Sequence, residues 1–173
     1  MTTILLRSGR YFDFDNPEAS EFDINDIAHA LSNLCRFTGH CREFYSVAQH
    51  SLWVSHIVPP EDALAGLLHD AAEAFLGDVA KPLKQLLPDY RALERRIETA
   101  VFARFGLPTQ LPVSVKHADR VMLRTEQRDL MSADGHRWTS TADVEPLTTR
   151  LYPFPPVAAR QAFLKRYDEL TAS

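Results

Sequence analysis

Apolar positions recur along the chain in two rhythms, which divide it into a short extended start and a long helical remainder. Ile4-Leu5-Leu6 and Tyr11-Phe12-Asp13-Phe14 flank the turn signal Ser8-Gly9, which predicts a hairpin within residues 1–15. From there the period is helical. Ile27, Ala30, Leu31 and Leu34 share one face, with Asp23 placed as a cap. Ser46-Val47-Ala48-Gln49 has the form of a capping box, in which the Ser covers a free N–H and the Gln reaches back. It opens a helix that runs through Trp53 to about Ile57, where Pro59-Pro60 breaks it. Glu61 starts another, ending near Gly77, whose Leu64, Leu67, Leu68, Ala71 and Phe75 form one stripe. Lys81-Pro82 and Pro88 bracket a turn or a single-turn helix. Asp89 is then expected to cap an amphipathic helix with Tyr90, Leu93, Ile97, Ala100 and Val101 inward, stopped at Gly106-Leu107-Pro108. A further helix follows Pro112, turns Val115, Ala118, Val121 and Met122 inward, and runs to about Met131. Residues 132–156 are polar, then proline-rich, and carry no period. They read as a surface excursion suited to a lid or a subunit contact. A last helix carries Ala159, Phe163, Tyr167 and Leu170. The expected product is one all-α domain over residues 1–173 with a small N-terminal β-hairpin.

Composition narrows the class. The chain has 173 residues, 45% of them hydrophobic and 24% charged, which is ordinary globular usage and excludes a disordered, collagenous or rod-like chain. No stretch approaches the roughly 18 apolar residues of a membrane helix, and the N-terminus has no signal-peptide pattern. The formal charge of −4 lacks the basic footprint of a long nucleic-acid partner. Cys35 and Cys41 match no usual zinc spacing and fit a reducing, cytoplasmic setting. Seven histidines stand beside 23 carboxylates, and only their positions can tell whether any bind metal.

The informative stretch is Leu67-Leu68-His69-Asp70-Ala71-Ala72-Glu73. At about 100° per residue, Asp70 and Glu73 fall about 100° and 40° from His69, while Leu64, Leu68 and Phe75 lie on the other side. One helix thus packs an apolar stripe and displays His, Asp and Glu together. An adjacent His-Asp pair is costly as core filler; it is solvated, salt-bridged or bound to a cation. His50 sits one turn into its helix, and the short Pro59-Pro60 connection makes that helix an antiparallel neighbour of the His69 helix. The two histidines then fall at comparable depth. Asp119, beside inward Ala118 and Met122 on a third helix, also needs a partner, and a metal is one.

The order His50, His69-Asp70, Asp119 resembles the HD superfamily of metal-dependent phosphohydrolases. Three further blocks, Asn33 to His40, Phe44 to His50, and Gly77-Asp78-Val79-Ala80-Lys81-Pro82-Leu83-Lys84, are similar to HD-domain nucleotidases, in particular the prophage-encoded YfdR-like group. The similarity runs from the hairpin to about Asp129. It implies an HD-domain helical bundle. It also implies a divalent metal ion (Mn, Co, Mg or Fe) held by His50, His69, Asp70 and Asp119. By the same resemblance Glu73 handles the proton of the attacking water or leaving group, and Asp78 sits at the sugar or leaving-group oxygen. Arg36 offers its planar fork to phosphate, Phe37 packs on the sugar, and Lys81 and Lys84 add positive charge. The implied activity is hydrolysis of deoxynucleoside 5′-monophosphates to nucleoside and phosphate. An enzyme of the same fold releasing triphosphate from deoxynucleoside triphosphates is the first alternative, and a non-catalytic nucleotide-binding module the second. Related HD enzymes are often homo-oligomers.

Each position also has an ordinary explanation. His50 can be a helix-interior histidine bonded to backbone, Asp119 a partner of Arg120 or Arg124, and Glu73 a solvated helix residue. Arg36 can be a structural ion pair, and Lys81 and Lys84 simply solvated. Trp138 is expected to pack locally or to cover a neighbouring subunit.

Overall fold

The computed structural model describes residues 2–133 and 136–172. The hairpin forms as the alternation predicts. Strand β1 (Thr3–Leu5) pairs antiparallel with β2 (Tyr11–Asp13) in the register Thr3↔Asp13, Ile4↔Phe12, Leu5↔Tyr11. This register turns Phe12 into the protein, where it stacks on Phe75 and meets Phe22 edge-on. Helices follow: α1 (Ile24–Asn33), α2 (Val47–Ile57), α3 (Ala63–Leu68), α4 (Glu73–Leu76), α5 (Lys81–Lys84), α6 (Pro88–Arg104), α7 (Val113–Leu130) and α8 (Pro156–Thr171).

Local chemistry explains where these helices begin. Asp23 accepts from the amides of Asn25 and Asp26, and Asp26 returns a bond to the Asp23 amide, closing a capping box on α1. Ser46 caps α2 by accepting from the Gln49 amide, but the box is not reciprocal. The Gln49 side chain instead donates to the Tyr152 carbonyl and accepts from the Phe154 amide, both at 2.8 Å. The expected Asp89 cap is not formed either. Helix α6 opens one residue earlier, on Pro88, whose fixed φ and missing N–H suit the first helical position.

The predicted single helix over Glu61–Gly77 is interrupted. A 3₁₀ turn at Pro60–Asp62 leads into α3, and regular bonding lapses over residues 69–72 before α4 begins. The amides of Ala71, Glu73, Ala74 and Phe75 each bond to the carbonyl three residues back rather than four, so this segment is wound tighter than an α-helix. Gly77, at φ +80°, then turns the chain toward Asp78.

Two apolar clusters fill the interior. One gathers Phe12, Ile27, Leu31, Leu67, Leu68, Phe75, Ile97 and Phe163 from the hairpin, α1, α3, α4, α6 and α8, with Phe22 from the segment before α1. The other gathers Tyr45, Val54, Ala65, Val115, Ala118 and Met122, chiefly from α2, α3 and α7. Helix α2 is packed against α3, α7 and α8. Its approach to α3 is close at Gly66, where an added Cβ would lie 3.2 Å from both the Ser55 Cα and the Val58 side chain. That closeness lets the histidines of the two helices meet.

Residues 132–156 are not a free excursion. Apart from a 3₁₀ turn at Thr139–Thr141 and the start of α8 at Pro156, the described residues of the segment are irregular, yet Thr141, Val144 and Leu151 are buried. Residues 134 and 135, near its start, lie outside the described residues. Arg128 donates to the carbonyls of Leu147 and Thr149, Thr125 accepts from the Leu147 amide, and Asp129 accepts from the Leu151 amide. With the two Gln49 bonds, these fasten the segment as a strap across α7 and α2.

Candidate metal centre and adjoining cavity

His50 on α2, His69 at the end of α3 and Asp119 on α7 come together, so that one donor atom from each lies within 4.8 Å of the others. His50 Nε2 lies 3.3 Å from His69 Nε2 and 3.2 Å from Asp119 Oδ1. Asp70 joins the group: its Oδ2 lies 3.2 Å from His69 Nε2 and 3.7 Å from His50 Nε2.

The outer nitrogens decide what the inner ones offer. His69 Nδ1 lies 2.8 Å from the Gly66 carbonyl, which can only accept, so Nδ1 carries the proton and Nε2 presents a lone pair. His50 Nδ1 lies 2.7 Å from Glu126 Oε1, a carboxylate, and is likewise the donor. Two neutral imidazoles in these tautomers would face each other with lone pairs 3.3 Å apart, which is repulsive without a cation between them. Two nitrogens about 2.1 Å from one cation, at angles of 90–110°, stand about 3.0–3.4 Å apart. The His50–His69, His50–Asp119 and His69–Asp70 separations fall in that range, and His50–Asp70 lies just beyond it. Two imidazoles and two carboxylates form a borderline-to-hard donor set suited to a divalent ion, and the residues fit such an ion. The second arrangement the geometry allows is a protonated His50 held between Glu126 and Asp119. Burial and Arg36 press the His50 pKa down, but these carboxylates outweigh them and raise it to about 10.

Glu126 was not among the residues singled out by sequence. It is fully buried, holds His50 through Oε1, and accepts from Arg36 through Oε2, at 3.2 Å from Nε and 3.0 Å from Nη2. The signal that points to it is its place two turns beyond Asp119 on α7, on the same face. Arg36 is therefore first of all a buried ion-pair partner. Its Nη1 faces Asp70 at 3.7 Å, and its guanidinium lies 5.2 Å from the centre of the Phe37 ring. Burial opposes its charge, but Glu126 and Asp70 more than restore it, so Arg36 stays a cation. Burial likewise works against the Asp70 and Asp119 carboxylates, yet the imidazoles beside them hold both below the usual carboxylate range.

Glu73 is 7% exposed and its Oε2 is buried with no hydrogen-bond partner. Burial, then the charges of Asp70 and Asp78, push its pKa well above the usual range, against Lys84 and Arg36. Asp78 moves in the same direction, chiefly through burial, with Arg36 opposing. Lys84 does not serve as a free positive charge. Its ammonium sits 2.5 Å from Glu94 and 3.5 Å from Glu73.

Beside the cluster opens a cavity of about 560 Å³. Arg36, Phe37, Asp78, Lys81, Leu123 and Trp138 are among its lining residues, and Lys84 is not. The Trp138 ring stands 5.7 Å from that of Phe37, so the strap supplies a wall of this cavity. Phe37 and Thr38 hold φ of +56° and +54°, a conformation unusual for non-glycine residues, where the chain turns beneath Arg36.

No family model matches the chain. It is 42% identical to the YfdR protein of Escherichia coli K12 over 173 residues, spanning 99% of this chain and 97% of that one. It is 37% identical to the protein RCAP_rcc00048 of Rhodobacter capsulatus over a 188-residue alignment, spanning 97% and 95%. Neither name specifies an activity. At this identity and coverage the chain belongs to the YfdR family.

Proposed function

We propose that this protein is a metal-dependent phosphohydrolase of the HD type, acting on deoxynucleoside 5′-monophosphates to release nucleoside and phosphate. The observation that carries the reading is the pair of imidazole Nε2 atoms 3.3 Å apart, flanked by Asp70 and Asp119, with Arg36 reaching from Asp70 to the wall of a cavity that has an aromatic side. His50, His69, Asp70 and Asp119 would hold a divalent ion, which supplies Lewis acidity and brings deprotonation of water toward neutral pH.

The chain's own residues have distinct tasks. Gly66 and Glu126 fix the two imidazole tautomers. Arg36 presents Nη1, its one nitrogen not bonded to Glu126, toward a phosphate oxygen. Glu73 is buried with one oxygen unpartnered, and burial with the charges of Asp70 and Asp78 pushes its pKa up, which suits it to carry a proton to the departing 5′-oxygen of the deoxyribose. Phe37 and Trp138 offer apolar faces to sugar and base. A cavity of about 560 Å³ lies within the usual 300–1,000 Å³ range of small-ligand sites.

Charge favours a monophosphate over a triphosphate. The lining cations are Arg36, largely committed to Glu126, and Lys81, while Asp78 adds a carboxylate and Lys84 is held elsewhere. A non-catalytic binder has no use for a buried carboxyl with an unpartnered oxygen such as that of Glu73. The test incubates the protein with manganese or cobalt and a panel of mono- and triphosphate deoxynucleotides, identifying products by phosphorus NMR. Orthophosphate from the monophosphates supports the proposal. Triphosphate release, or no turnover with any metal, refutes it.

A further inference from the structure

A second cavity, of about 390 Å³, opens between the hairpin turn, α1 and α8 and shares no lining residue with the first. Its wall includes Arg7, His29, Ser32, Asn33, Val157 and Arg160, and no carboxylate lines it. The nearest acid on α1, Asp26, is already engaged by Arg10 at 3.1 Å and by the Ser8 amide and hydroxyl at 3.0 Å. Arg7 approaches His29 Nδ1 at 3.3 Å, which makes His29 the acceptor and puts its proton on Nε2. Burial, with Arg7 and Arg160 adding their charge, lowers the His29 pKa and keeps it in that neutral form. The Nε of Arg160 is buried without any hydrogen-bond partner. Two guanidiniums on the wall of one cavity, both close enough to bear on His29 and with no acid in the lining, suit an anion. Helix α8 begins on Pro155-Pro156 without a side-chain cap, so its positive end faces the same opening through Pro156 and Val157.

We propose that this cavity is a second anion site, taking a phosphate group between the Arg7 and Arg160 guanidiniums. It needs no assumption about the metal centre. The phosphate can be free or carried on a nucleotide, and the test separates the two.

Isotope-labelled full-length protein is titrated with inorganic phosphate and, separately, with a deoxynucleoside 5′-monophosphate, following backbone amide shifts. Saturable shifts are expected at Asn33, Val157 and Gln161. Arg7→Met and Arg160→Met should each weaken that binding tenfold or more. Gln161→Glu, which adds a carboxylate at the cavity without touching either arginine, should also weaken it tenfold and covers the case in which an arginine variant fails to fold. Equal affinity for both ligands assigns free phosphate; tenfold tighter binding of the monophosphate assigns the nucleotide. Shifts confined to residues 36–37 and 78–82 would overturn the proposal. So would undiminished binding at Asn33 and Val157 in the folded variants.

Discussion

Replacing Glu126 by Gln tests the internal logic of the site more sharply than replacing a ligand does. The side chain is fully buried, and its two oxygens serve two partners, His50 at 2.7 Å and Arg36 at 3.0 Å. Gln keeps the shape but removes the charge and turns one oxygen into a donor, which then faces either the imidazole N–H or the guanidinium. Removing one partner of a buried ion pair costs about 3–5 kcal/mol. Asp70 lies 3.7 Å from Arg36 Nη1 and compensates part of the stranded charge, which places the loss near the lower end, about 3 kcal/mol. The measurement is urea unfolding in chelator, so that metal linkage does not intervene. Glu126→Leu combined with Arg36→Met removes both charges and should recover much of the loss, since a packed apolar pair substitutes well for a buried ion pair. The same Glu126→Gln change loosens the His50 tautomer and should lower metal affinity about 10–100-fold. A loss below about 1 kcal/mol, with the double variant no more stable than Glu126→Gln, would refute the reasoning.

Other changes follow from the same geometry. Gly66→Ala drives a Cβ against Ser55 and Val58 and should cost about 1–3 kcal/mol by thermal or urea unfolding. Because the Gly66 carbonyl orients His69, metal affinity should fall with it, and a stable variant with full affinity would contradict the packing account. Gln49→Leu strands the Tyr152 carbonyl and the Phe154 amide, so about 1–3 kcal/mol and faster proteolysis within residues 147–155 are expected. The His50 pKa is raised on folding, so its contribution to metal-free stability is complete below about pH 6.5 and fades as the pH climbs toward about 10. Urea midpoints in chelator should therefore fall across that window, and His50→Gln should flatten the slope.

Much of this arrangement is legible in the chain, and the missing parts have physical reasons. The hairpin and α1 announce themselves through alternation, a Ser-Gly turn and an Asp cap, all local signals. A two-proline connection puts His50 and His69 at one depth, whereas Asp70 and Asp119 join them as one ligand set through the resemblance to HD phosphohydrolases. Glu126 escaped because a carboxylate inside a helix is ordinary until Arg36, distant in sequence, is known to reach it. The break at residues 69–72 carries no Gly or Pro, so nothing local marks it. The strap looked free because its anchors, Gln49, Thr125 and Arg128, bind its backbone, which leaves no trace in its own side-chain pattern. Gln49 misled for the same reason: its side chain answers to residues a hundred positions away rather than to its own helix end.

The central claim is that two imidazoles and two carboxylates converge on one divalent ion. Calorimetric titration of chelator-treated protein with cobalt tests it most directly. The account predicts one ion per chain, with buffer-dependent heat showing that a proton leaves the site as the ion enters, and loss of binding in His69→Ala and Asp119→Ala. No saturable binding by the wild-type protein, or unchanged affinity in those variants, would contradict it.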